Sequence, residues 1–538
     1  MSVLPFEADI IVAGGGHTLI GRLASAEPSL RILIIEAGPP TLEDLAYIQP
    51  ARYLSHLLPG SQTIKLNVGK ESADLGGRSP VVPCAQCLGG GSSVNFAMYS
   101  RASRSDYDEW EKVYGNEGWG SRDLLPLMKK METYQVAPDK PTHGYQGPIK
   151  VSHGGAFTNI GKEFLEVGAQ YDTRRGWTDD PNDMTTVNAY GETGRRSDVP
   201  HNYIYNRQFD NLEILTGYHV KRVIIEDGRA VGVEFLPNAR IRPDEDKVAR
   251  IARARRLVVV SAGAFGSPAI LERSGIGDRG LLQSLGIDVV SDLPGVGENY
   301  QDHYVLFPPY LAADDAETLD RVVRGDPEEI ERWSSQWLRD GSGLMAHNGI
   351  DAAVKLRPIA DELSDIGPEF WGHWQRVFAN ASDKPICWLE CVSMYVGDHS
   401  CIPARKYFSM GHIILYPEAV GYVHISSAED VDASQDFDPK YISKPSDIAA
   451  LRWAYKRGRE VARRMPSYRG EYAPRHPVFP EGSQAACNAD ANPVPMHAAE
   501  IVYTEDDNRA LDEHLQKSVA TCWHSVRSSQ AVGCYAFC

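Results

Sequence analysis

The stretch that most constrains this chain is "ADIIVAGGGHTLIGRLASAEPSLRILIIEAG", residues 8–38. An apolar run, three glycines, a short helix and a second apolar run describe a βαβ unit. Runs that are apolar at every position, rather than alternating, belong to a parallel sheet covered on both faces. Glycines after the first strand let the backbone approach a pyrophosphate, whose charge suits the N-terminus of the following helix. Gly14 and Gly16 take the first two positions of G-x-G-x-x-G. Glu36 closes the second strand, where a carboxylate would accept hydrogen bonds from an adenosine ribose. Leu19 holds the third glycine position and is expected to push the helix away from the strand. A dinucleotide is the implied ligand.

At 538 residues the chain exceeds one ordinary domain, so two domains or one layered domain is expected. A net charge of −17 excludes nucleic acid as the main partner. The basic cluster "KVARIARARR" (Lys247 to Arg256) runs into "LVVVSAG" and reads as a solvated approach to a strand. No stretch reaches the roughly 20 apolar residues that span a membrane, and the N-terminus lacks a secretory pattern. The nine scattered cysteines fit a reducing, intracellular compartment. Cys84 and Cys87 form a lone C-x-x-C without a second pair, so no metal is expected.

Further along, "LEILTGYHVKRVIIEDGRAVGVEFL" predicts strands with a turn at Asp227-Gly228. "RLVVVSAGAFGSPAILERSGIG" repeats the order strand, glycine turn, helix, and "DIAALRWAYKRGREVARRM" predicts a helix. The fold class is α/β: a Rossmann-like domain interrupted by inserts that build a second, α+β, substrate-side domain.

Two segments add a family resemblance. "GGRSPVVPCAQCLGGGSSVNFAMYSR" (Gly76 to Arg101) and "GAFGSPAILERSGIG" (Gly263 to Gly277) resemble the two signatures of the glucose–methanol–choline (GMC) flavoprotein oxidoreductases. "DLLPLMKKMETYQ", "GPIKVS", "TGRRSD", "LPGVGENYQDHY" and "WAYKRGREVARRM" resemble the methanol (alcohol) oxidase branch. The resemblance implies FAD, with Gly14, Gly16 and Glu36 at its ADP half. It places Gly90, Gly91, Ser92 and Asn95 against pyrophosphate and flavin, and the Val220 backbone at the adenine end. Trp523 and His524 match the Trp-His pair over the flavin's reactive face, and Phe96 and Met98, with Trp523, match walls of a narrow alcohol pocket. His524 is then the catalytic base, because a neutral imidazole suits proton removal from a hydroxyl near pH 7. Gln301-Asp302-His303 reads as structural.

The implied reaction oxidises short primary alcohols to aldehydes, with oxygen as acceptor and hydrogen peroxide as product. The implied organisation is cofactor domain 1–155, substrate domain 156–210, cofactor domain 211–308, substrate domain 309–504, and an active-site segment 505–538. The branch also implies a homo-oligomer and a peroxisomal address; the chain ends "AFC", and without such a signal cytoplasmic residence is expected. The sequence departs from the family pattern twice. The glycine loop is about three residues short, and "VRSSQAVGCYAFC" follows Ser525 in place of the segment that carries a second catalytic residue. Exon-boundary errors would produce both departures. An inactive truncated homologue and, less well supported, a flavin-containing lyase are the alternatives.

Overall fold

The computed structural model describes residues 6–175 and 193–526. Its first sheet has six strands: β1 (Phe6–Gly14), β2 (Ile32–Glu36), β3 (Leu212–Thr216), β4 (Tyr218–Glu226), β5 (Arg229–Pro237) and β6 (Arg250–Ser261). Their order is β3-β2-β1-β6-β5-β4. β3, β2, β1 and β6 run parallel, with Ile11 beside Leu33 on one side and Val258 on the other. β6, β5 and β4 are antiparallel. Ile11, Val12 and Ala13 are fully buried, as the unbroken apolar run requires. The basic cluster is solvated as expected, but only Lys247–Ala249 approach the strand; from Arg250 on it is part of β6. Ala252 packs inward while Arg253, Arg255 and Arg256 pair with Glu226, Glu7 and Asp9.

A second sheet holds β7 (Tyr304–Leu306), β8 (Pro309–Ala312), β9 (Ile350–Leu356), β10 (Cys387–Val392), β11 (Tyr407–Ile414), β12 (Tyr468–Glu471) and β13 (Ala520–Thr521). Its main path is β9-β10-β11-β7-β13, with β8 joining β11 to β12, and every pairing is antiparallel. β7 lies between β11 and β13, so His303 just before β7 and Trp523 and His524 just after β13 flank the same space.

Five helices matter for the site: α1 (His17–Ala26), α2 (Gly91–Val94), α3 (Val199–Tyr203), α4 (Gly263–Arg273) and α5 (Pro445–Ala462). α5 covers the second sheet through Leu451, Ala454 and Tyr455, all 1% exposed or less. No helix among the described residues is long and apolar enough to cross a membrane.

The expectation for Leu19 is corrected here. α1 begins directly at His17, and this start turns Leu19 outward, where it is 51% exposed. Ile20, Leu23 and Ala24 form the packing face at helical spacing against β1 and β2. Burying Ile20 alone stabilises by roughly 1.5–3 kcal/mol. Close approach is provided by Gly21, where a Cβ would lie 2.4 Å from the carbonyl oxygen of Tyr203 in α3.

Gly21→Ala is therefore expected to destabilise the protein. The helix-propensity gain of about 1 kcal/mol is outweighed by overpacking of roughly 1–3 kcal/mol or more against a backbone atom that cannot rotate away. A thermal melt of the variant checks the sign.

Candidate active site

The C-terminal ends of β1, β2 and β6 open onto one cavity of about 870 Å³. At the sheet end it is lined by Gly14, Glu36, Val220 and Gly263; α2 and the residues on either side of it add Gly90, Gly91 and Asn95. At the far end stand Phe96, Met98, His303, Trp523 and His524. Ten of the residues singled out in the sequence thus share a single cavity, counting Gly14, Glu36, Gly90, Gly91, Asn95, Phe96, Met98, Val220, Trp523 and His524. Gly16 and Ser92 are not on its wall. A Cβ on Gly16 would meet Val12 at 2.8 Å and Ser261 Oγ at 2.9 Å, so this glycine serves packing under the loop. Ser92 Oγ donates to Gly89 O at 2.8 Å and accepts from the Val199 N–H at 3.2 Å, joining α2 to α3.

Glu36 is buried at the end of β2, where its Oε1 accepts from the Gly38 N–H at 2.9 Å. Burial pushes its carboxyl up to about 7, against the pull of the Gly38 and Ala37 amides. Gly90 has φ 54° and ψ −140°, a left-handed conformation that a side chain would strain. Ideal Cβ atoms on Gly90, Gly91 and Gly263 would meet nothing within 4 Å. These three positions form an open cradle rather than tight packing.

The loop after α2 is held by a residue that the sequence reading passed over inside "TGRRSD". Arg196 is 2% exposed, and its guanidinium donates to Asn95 Oδ1 at 2.6 Å and Asn95 O at 2.7 Å. Its Nε donates to Tyr47 O at 3.0 Å. Burial lowers its pKa to about 10, with Asp198 opposing. Beyond Asn95, Ala97 is buried at φ 60°, and Asn348 Nδ2 donates to Phe96 O at 2.7 Å. The Phe96 ring then stands 4.6 Å from that of Trp523 and 4.3 Å from that of Tyr53.

Trp523 and His524 follow β13 and are pinned by Asp302. Asp302 Oδ1 accepts from the His524 N–H at 3.0 Å; Oδ2 accepts from Thr521 Oγ1 at 2.5 Å and the Tyr441 hydroxyl at 2.6 Å. Thr521 Oγ1 accepts in turn from the Trp523 N–H at 2.8 Å, holding Trp523 at φ 60°. Strain of this kind persists only where surroundings enforce it.

Asp302 is thus structural, as the sequence reading expects of its segment, but His303 also reaches the cavity wall. His303 Nδ1 and His524 Nδ1 are 3.0 Å apart with the rings at 86°. One must donate and the other accept, which requires at least one neutral ring. Burial pushes His303 down to about 3, with His524 adding to the shift. His524 lines the cavity wall and keeps an exposed edge; desolvation by the surrounding protein still lowers its pKa, with Asp302 opposing. Its Nε2 makes no hydrogen bond among the described residues and is available to a ligand. The tail after Val526, where the departure from the family pattern falls, lies outside the described residues.

Comparison with known proteins agrees with this architecture. The GMC oxidoreductase N-terminal family matches residues 8–305 and the C-terminal family matches residues 417–533. The chain is 37% identical to alcohol oxidase 1 of Komagataella phaffii over 97% of this chain and 86% of that protein. Alcohol oxidase of Candida boidinii gives the same identity and coverage. Among solved structures, a formate oxidase from Aspergillus oryzae RIB40 superposes with a TM-score of 0.80 at 20% identity, over 99% of this chain and 90% of that one. A fungal aryl-alcohol oxidase superposes with a TM-score of 0.72 at 20% identity, over 97% and 90%. The chain belongs to the GMC oxidoreductase family and is an FAD-dependent enzyme that oxidises alcohols.

The residues present fit that cofactor. Glu36 offers a buried acceptor at a strand end for ribose hydroxyls, and the side-chain-free cradle of Gly90, Gly91 and Gly263 admits a bulky planar or phosphate group. The first-turn amides of α1 have no side-chain cap and suit an anionic group.

Gly91→Val places a side chain in that cradle at a position without positive φ. The purified variant is expected to lose the yellow flavin absorbance, while the melting of its apoprotein shifts within about 0.5 kcal/mol of the unchanged chain. An equal loss of both would assign Gly91 to folding instead.

Proposed function

We propose that this enzyme oxidises short primary alcohols, methanol-like in size, with oxygen as the electron acceptor and His524 as the catalytic base. The observation that carries the reading is the hydrogen-bonded His524–His303 pair, with one imidazole nitrogen left free, on the wall of the cavity that Phe96, Met98 and Trp523 also line. FAD, when bound, supplies the acceptor for the hydride leaving the carbinol carbon and returns the electron pair to oxygen.

The chain's own residues do the rest. His524 Nε2 accepts the hydroxyl proton, which requires a neutral ring, and burial keeps it neutral near pH 7. His303 and the Asp302-bound backbone orient that ring, so the nitrogen lies where the substrate hydroxyl enters. Phe96 and Trp523 close the pocket on one side, limiting the alcohol's length and excluding water. Gly14, Glu36, Gly90, Gly91, Asn95 and Val220 are assigned to cofactor contact, with Gly16 and Ser92 shaping the loops behind them. Residues 1–155, 211–308 and 505–538 form the cofactor half of this proposal, and 156–210 and 309–504 the substrate half. The methanol-oxidase resemblance adds a homo-oligomeric state and a peroxisomal location.

His524→Ala is expected to keep the flavin spectrum and lower kcat/KM for methanol by about 10²–10⁴-fold. A base must be unprotonated, so kcat/KM should rise with pH through a pKa below the ordinary histidine value of about 6.5, then level off. A limb at or above that value in steady-state profiles would contradict the lowered pKa of His524.

A further inference from the structure

Glu390, at the substrate end, is an ionisable group that the chemistry above leaves unused. Glu390 lies in β10, is 3% exposed, and yet stands on the cavity wall. Strand alternation sends Glu390 and Trp388 to the cavity face and Leu389 and Cys391 into the core behind. Among the described residues no lysine, arginine or histidine forms an ion pair with it. The indole N–H of Trp388 is its neighbouring donor but completes no hydrogen bond. Burial pushes the carboxyl up to about 8, so the group is a neutral acid near pH 7.

The opposite strand makes room for it. Glu390 pairs in register with Gly411 of β11. A Cβ on Gly411 would lie 2.5 Å from Glu390 Cγ, 2.8 Å from its Oε1 and 2.8 Å from the Phe307 ring. Gly411 has no positive φ, so the glycine serves space and not backbone freedom. The carboxyl belongs to the alcohol end of the cavity: it lies within electrostatic range of Tyr53 and Cys522, Tyr53 packs on Phe96, and Phe96 packs on Trp523.

An unpartnered acid on a pocket wall is stable only while water, or a ligand, satisfies it. Methanol leaves room for such a water. A longer alkanol expels the water and strands the acid, whereas a second hydroxyl both donates to its carbonyl oxygen and accepts from its O–H. A site built around a buried hydrogen-bonding group rejects analogues that cannot pair with it.

We infer that Glu390 is a specificity-determining residue that hydrogen-bonds a second hydroxyl of the substrate, so that short diols are preferred over alkanols of equal length. The inference rests on the alcohol-oxidation reading of the same site.

The test uses the flavin-loaded protein without oxygen, following flavin bleaching in a stopped-flow instrument against 1-propanol and 1,3-propanediol. The concentration dependence separates each alcohol's Kd from the limiting rate. The expected result is a Kd about tenfold lower for the diol, the effect of one hydrogen bond to a buried polar group. Glu390→Leu should abolish that preference by weakening the diol and tightening the alkanol. Glu390→Gln, which keeps a donor and an acceptor in the same shape, should retain most of it and serves as the decisive variant if the leucine protein does not fold. Equal Kd values for the two alcohols in the unchanged protein overturn the inference, as does a preference that survives in folded Glu390→Leu or vanishes in Glu390→Gln. Ethanolamine binding tighter than the diol would reveal an ionised carboxylate and also overturn it. Bleaching by 1-propanol and methanol without diol preference leaves the alcohol-oxidase reading standing alone. Flavin that no alcohol bleaches removes that reading and this inference together.

Discussion

Asp302 is the point from which the reactive end of the molecule is built. Its carboxylate is buried without a cation, and hydrogen bonds from Tyr441, Thr521, Tyr300 and the His524 backbone take the place of a salt bridge. These donors come from segments far apart in the chain, so a single acceptor fixes their relative positions. The two-residue strand β13 could not do this alone, although it is extended by pairing between Gln301 and Val526 and by the Cys522 N–H on His303 O. A carboxylate in this position costs desolvation free energy, and its raised pKa records that cost. What the cost maintains is the backbone position of His524, the proposed base, and a tryptophan held in a strained backbone conformation.

The other ionisable groups around the cavity follow a common pattern. Burial is the first cause of the shift at His303, His524, Glu36, Glu390 and Arg196, and in each it favours the neutral form. For alcohol oxidation this has chemical meaning. Proton removal needs an uncharged imidazole. A low-dielectric pocket also strengthens each hydrogen bond that the substrate makes.

How much of this was legible in the sequence depended on how local the physics is. The βαβ unit, the strand-turn-strand around Gly228 and the α4 turn could be read directly, because apolar periodicity and glycine turns act within a few residues. That the glycines of the two signature segments line one cavity was legible only through the family resemblance. Leu19 was misread because the third-glycine rule assumes a loop of ordinary length, and the shorter loop turns that position to solvent. Arg196 was quoted inside a motif but its task was hidden, since its partner Asn95 lies about a hundred residues earlier. His303 was hidden for the same reason: its partner is 221 positions away, and nothing near Gln301-Asp302-His303 signals a second imidazole.

The two ends of the cavity are built from different materials, and this decides where the enzyme can vary. At the proposed cofactor end, the cavity wall is made of backbone, of positions without side chains and of one carboxyl group, Glu36. At the alcohol end, contact is made by side chains on strands whose register is pinned elsewhere. β10 cannot slip by one residue, because Leu389 and Cys391 would leave the apolar core formed with Ile160, Phe164 and Met410. Glu390 therefore faces the cavity whatever the desolvation of its carboxyl costs, and the burial of its neighbours outweighs that cost. The position is free to change chemically only where Gly411 and Phe307 leave volume for the new side chain. Specificity at this end is thus set by a pair of facing strand positions, on a scaffold whose core has already decided which way they point.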